Sequence, residues 1–197
     1  MLIILIASII SCAQQQPVPS DHFYRLPDPQ SSSVLDTPLV NGMVLVKQFQ
    51  TDGLHIERAI LYTNDEQSIE LKQYRYHFWQ DSPSRLVRDH LVAYLRDANM
   101  APIVVTDNGS VAEVVVSGKI KQFEQRIWNN DAEAVVALEL RVDRATEVQP
   151  ILLKDYRTQV AVDGDSMRAT VTAFDKALLE IFEAFLADAE RELNASQ

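Results

Sequence analysis

Cysteine is nearly absent from this chain: 197 residues hold one, Cys12. No second cysteine can pair with it, so apolar burial alone must hold the fold. Positive charge is scarce too. Eighteen Lys and Arg stand against 28 Asp and Glu, a net charge of −10. Nucleic-acid binding needs clustered cations to displace the counterions of phosphate, and electrostatic adhesion to anionic lipid needs them as well. This composition excludes both as the main source of affinity. Apolar runs of membrane-spanning length are missing. The uncharged opening Leu2–Ser11 has ten residues, where a transmembrane helix needs about 20. The five glycines are too scattered for a phosphate loop, and neither G-x-S-x-G nor H-E-x-x-H occurs. His22, His55, His77 and His90 share no zinc-like spacing. The sequence therefore offers no catalytic motif, and no metal or cofactor is expected.

What is present begins at the N-terminus. LIILIASIIS has the length of the apolar core of a secretory signal. Ile9, Ile10 and Ser11 lead into Cys12 and look like a bacterial lipoprotein box. A signal peptidase then cuts before Cys12, whose thiol carries lipid. A thioether would remove the hazard of a lone thiol in an oxidising compartment. One acyl chain anchors only marginally, and stable anchoring takes two or more. The competing reading is a buried cysteine in an N-terminal helix. Ala13 follows where an aspartate would resemble an inner-membrane retention signal, which points to the periplasmic face of the outer membrane. Residues 1–11 are expected to be signal, 12–22 the lipidated cysteine and a flexible tether, and 23–194 the folded domain. The proline-bearing stretch AQQQPVPSDH reaches roughly 30 Å when extended.

The folded part alternates between two periodicities. Short strands are expected at Phe23–Leu26, Met43–Phe49, Ala59–Thr63 and Ile103–Thr106, and longer ones at Ile69–Trp79, Val111–Trp128, Ala134–Val142 and Ile151–Val162. Asp107-Asn108-Gly109 carries a hairpin-type turn signal. Ser82-Pro83 opens a helix, with Leu86, Val87, Leu91, Tyr94, Leu95 and Ala98 in one apolar stripe. A second helix starts near Ser166, and its apolar face, from Val171 to Leu193, is wide enough to require burial. The expected fold is α/β: a single-domain sandwich with a mixed β-sheet and two main amphipathic helices.

Two carboxylate pairs, Asp163/Asp165 and Asp188/Glu190, are expected to serve solubility and capping. The aromatic segment YRYHFW, Tyr74–Trp79, is the most distinctive. Strand alternation sends Tyr74, Tyr76 and Phe78 to the core and Arg75 and His77 to solvent, with a slip near Lys72–Gln73. Trp79, at the strand end, is a candidate partner contact, because Trp is over-represented at interfaces.

Three stretches together carry a family resemblance. FYRL follows soon after Cys12; LKQYRYHFWQDSPSRLVRDHLVAYL and SGKIKQFEQ come later. They resemble the ABC-type transport auxiliary lipoproteins, which include the lipoprotein component of paraquat-inducible systems. The characteristic positions are Tyr76 and Trp79, the Pro83-led helix, and Gly118, Phe123 and Glu124. The resemblance implies a non-enzymatic accessory that docks an MCE-domain periplasmic protein and ABC transporter components, serving movement of lipid or hydrophobic solutes. It brings no catalytic residues; Cys12 is the position it marks as functional. Homo-oligomerisation is left open. The alternative is a periplasmic binding protein that itself holds a hydrophobic ligand, which requires a preformed apolar pocket of about 300–1,000 Å³.

Overall fold

A computed structural model describes residues 19–65, 67, 69–107, 111–129 and 131–195. In chain order its elements are β1 (His22–Tyr24), β2 (Met43–Val46), a 3-10 turn (Gly53–Ile56), β3 (Ala59–Thr63) and β4 (Lys72–Trp79). Then come α1 (Pro83–Asp97), β5 (Ile103–Val105), β6 (Val114–Trp128), β7 (Asp131–Arg144), β8 (Leu152–Ala161) and α2 (Met167–Ala195). The strands form one mixed eight-stranded sheet, as the two sequence periodicities imply.

The longest alternating segments lie next to one another, with β8 at the edge of the sheet. β6, β7 and β8 form an antiparallel meander. Val136, Leu138, Leu140 and Val142 of β7 are fully buried, while Glu139, Arg141 and Asp143 line the other face. β2 and β3 both run parallel to β6 on its remaining edge, one after the other. Val44 pairs with Val114, and Leu61 pairs with Glu124. Between them Gln50 bridges Lys119. Beyond β2 lies β5, parallel to it; beyond β3 lie β4 and β1. The hairpin expected after β5 is therefore not the connection the sheet uses, because β2 separates β5 from β6. Residues 108–110 of that turn lie outside the described residues.

Both helices contribute to one apolar cluster with the sheet. Pro83 begins α1, and the carbonyl of Ser82 accepts the N–H of Leu86 at 2.9 Å. Ser82 makes no side-chain cap. The helix ends at Asn99, whose φ of 58° is left-handed, and its side-chain amide donates to the Leu35 carbonyl at 2.9 Å. In α2 the Ser166 hydroxyl accepts the Ala169 N–H at 3.1 Å, a true N-cap.

The expected facing of β4 holds at Tyr74 and Arg75 and fails toward Phe78. From Ala59–Phe78 to Leu61–Gln73 the β3–β4 pairing advances two residues on one strand and five on the other. That irregularity breaks the period of two. Tyr74, within that irregular span, and Trp79, just past it, both turn toward the helices. The Phe78 ring instead stacks at 5.7 Å on Phe23, which is 56% exposed, and His77 is part-buried beside Tyr24.

Candidate functional site

Cys12 and the lipoprotein box lie outside the described residues. Trp79 lies within them, and its role as a partner contact is corrected. It is 1% exposed, with ring centroids 5.1 Å from Phe123 and 5.4 Å from Phe174 of α2. Phe123 and Phe174 are 4.6 Å apart. A strand-end Trp can be either core or surface by sequence; here α2 lies over it. Phe123, one of the characteristic positions, completes this aromatic triangle.

Gly118 and Glu124 are also structural. Gly118 faces Phe49 and Leu140, and a Cβ there would sit 2.9 Å from both side chains. Glycine is what lets the Phe49 ring lie on the strand. Glu124, 6% exposed, faces His55 of the 3-10 turn at 3.5 Å and accepts the Gln122 amide at 3.1 Å.

Two of the four histidines come together and the other two stand apart from them. His22 stacks on His77 at 5.4 Å, and the Tyr24 hydroxyl lies 2.8 Å from His77 Nδ1. Burial, and then His22, push the His77 pKa down. His90, buried at the α1–α2 contact, lies 3.0 Å from Asp175. His55 and His90 each face a carboxylate of their own. Among the described residues, no three or more His, Cys, Asp or Glu cluster to hold a metal ion.

Two buried polar networks were not visible in the sequence. The Tyr74 hydroxyl donates to Gln125 at 2.7 Å, and Gln125 donates to Thr170 of α2 at 3.1 Å. Burial, and then Tyr62, raise the Tyr74 pKa. Asp188, expected at the surface, is 7% exposed. It accepts Lys154 Nζ at 2.7 Å and the Tyr156 hydroxyl at 2.9 Å, and it pairs with Arg191. The Lys154 hydrogen bond is the largest influence holding its carboxyl below the ordinary range, against burial. Burial and then Asp188 raise Tyr156. Its place three residues after Phe185 and four before Glu192 marks only a helical spacing, so nothing local reveals that β8 supplies a Lys and a Tyr there.

The sheet face away from the helices is a charged lattice. Lys121 bridges Glu139 at 3.1 Å and Asp155 at 2.6 Å across three strands. A groove of about 430 Å³ on this face is lined by Lys47, Lys119, Glu139, Arg141 and Asp143, among others. Three further recesses have volumes of about 210–250 Å³. None of these four is the apolar pocket that the ligand-holding alternative requires. No helix among the described residues is long and apolar enough to cross a membrane.

Comparison with known proteins matches residues 24–184 to the ABC-type transport auxiliary lipoprotein component. Among solved structures, protein XCC0632 from Xanthomonas campestris superposes with a TM-score of 0.76 at 13% identity, covering 89% of this chain and 98% of its own. Hypothetical protein CT253 from Chlamydia trachomatis gives 0.53 at 11% identity, covering 79% and 99%. At such identities the likeness establishes the fold. No curated protein matches.

Proposed function

The chain belongs to the ABC-type transport auxiliary lipoprotein family, and from that premise we propose a lipid-anchored, non-enzymatic accessory of an envelope transport system. Cys12 carries the lipid, and the body from residue 23 to 194 stands at the periplasmic face of the outer membrane. It works through protein contacts with an MCE-domain protein and the ABC components, in the movement of lipid or hydrophobic solutes. The observation that carries the reading is the match over residues 24–184 downstream of a lipoprotein box. Two features support it. Trp79, Gly118 and Phe123 of the characteristic residues serve packing, and His55 and His90 each face a separate carboxylate. The partner surface is sought on the exposed body, since Trp79 is in the core.

The test is complementation of a deletion strain, with intact mass and membrane fractionation of the product. Wild type is expected in the outer membrane as an acylated chain beginning at Cys12. Cys12→Ala is expected to lose both location and function. Full complementation by a soluble, unacylated Cys12→Ala chain would sink the reading.

A further inference from the structure

Several turns and the entry of the chain meet at one end of the sheet. β6 runs toward Trp128, which pairs with Asp131 at the hairpin tip. β3 runs parallel to β6 and ends beside it, Thr63 against Arg126. The link from β3 to β4 therefore lies at this end, where Tyr62 pairs with Lys72. β8 finishes there, with Ala161 opposite Glu133, and α2 begins there, with Thr170 bonded to Gln125. β1 is parallel to β4 and so antiparallel to β6. The chain preceding His22 thus leaves toward this same end.

That end exposes Ile69 at 77% and Trp128 at 41%. Trp128 lines a recess with Arg126, Asp131 and Glu133, and at the start of α2 Arg168 and Lys176 line another of about 250 Å³ with Asp163. An indole presents an apolar body and a polar N–H, which suits the level of lipid headgroups.

The tether length decides what this end can touch. His22 sits opposite His77, five residues inside Lys72, which is about 17 Å at strand rise. Nine residues separate Cys12 from His22, and the ten steps along the chain reach at most about 36 Å when fully extended. An acylated Cys12 therefore lies no more than about 19 Å beyond the level of Lys72. Trp128 stands three residues past Gln125, the β6 partner of Tyr62, about 10 Å into that gap, and Ile69 lies between β3 and β4 at the same end. A headgroup layer, about 6 Å deep, fills much of the rest.

We infer that this end of the sheet is a bilayer-contact surface, with Trp128 and Ile69 seated at the interface of the leaflet that holds the Cys12 lipid. The inference rests on the acylation proposed above. With a net charge of −10 the body is not drawn to anionic lipid, so contact is led by these apolar side chains. Arg168 and Lys176 meet lipid phosphates at its margin.

The chain supplies its own probe. Of its two tryptophans, Trp79 is buried, so Trp128 alone can meet lipid. Full-length protein from membranes is reconstituted into phosphatidylcholine vesicles with brominated acyl chains, and intact mass is read on the same sample. Relative to unbrominated vesicles, wild type is expected to lose Trp emission. Trp128→Phe is expected to abolish that loss, and Ile69→Asp to reduce it. Val111→Asp and Val148→Asp, at the opposite end of the sheet, are expected to leave it unchanged. Acylated wild type that shows no more quenching than Trp128→Phe overturns the inference and leaves the anchor standing. A chain without acyl groups overturns the anchor, and the inference with it.

Discussion

The Asp188 carboxylate accepts the Tyr156 hydroxyl at 2.9 Å, and this bond fastens the second half of α2 to the edge strand β8. Lys154, from the same strand, reaches the same oxygen at 2.7 Å. Asp188→Asn is expected to destabilise the protein by about 2 kcal/mol at pH 7, the scale of losing hydrogen bonds to a buried charged group. The pH dependence follows from the depressed folded pKa of the carboxyl. Its contribution is fully present above the unfolded value, near 4, and is lost as pH falls through the folded value. Wild type and Asp188→Asn should therefore converge in stability as pH drops below about 4. Urea unfolding at pH 7 and pH 3 checks this; an equal gap at both values would contradict it.

Gly118→Ala places a methyl 2.9 Å from Phe49 and from Leu140. Overpacking of this kind costs about 2 kcal/mol. Phe49→Leu should absorb part of it, and a double-mutant cycle is expected to give a coupling of about 1 kcal/mol. Independent, additive effects would mean the ring does not press on this strand.

Trp79→Phe should lower stability by about 1.5 kcal/mol through the space it opens beside Phe123 and Phe174. Recovery of partner proteins from solubilised membranes should not change. Loss of partners with stability intact would return Trp79 to the surface.

Tyr74→Phe removes the donor to Gln125 and leaves a buried amide oxygen without it. A cost of about 1 kcal/mol is expected. Gln125→Leu, which removes the shared member of the chain to Thr170, should make the further Tyr74→Phe change nearly silent in thermal unfolding.

How much of this was legible depended on whether the determining contact was local. The Ser82-Pro83 start, the apolar stripe of α1, the β3 boundaries and the burial of β7 all follow from spacing along one segment. The facing of β4 does not, because its irregularity is a property of the pairing with β3 and lies between Gln73 and Phe78. The insertion of β2 between β5 and β6 depends on parallel pairing over a long separation, which no turn signal encodes. Asp188 looked like a surface carboxylate because Lys154 and Tyr156 approach it from another element. Trp79 could be assigned to an interface or to the core only once α2 was seen to cover it.

The double occupancy of one edge of β6 has a consequence for how the chain assembles. Val44 waits for Val114, and Leu61 waits for Glu124. Leu61 also has a nearby partner in Gln73 of β4, and β1 pairs with β4 too, but β2 has no partner until β5 and β6 exist. Local hairpins close quickly, whereas pairings across such separations are slow. A strand made early is therefore among the last to be paired, and the sheet closes where β2 enters between β5 and β6.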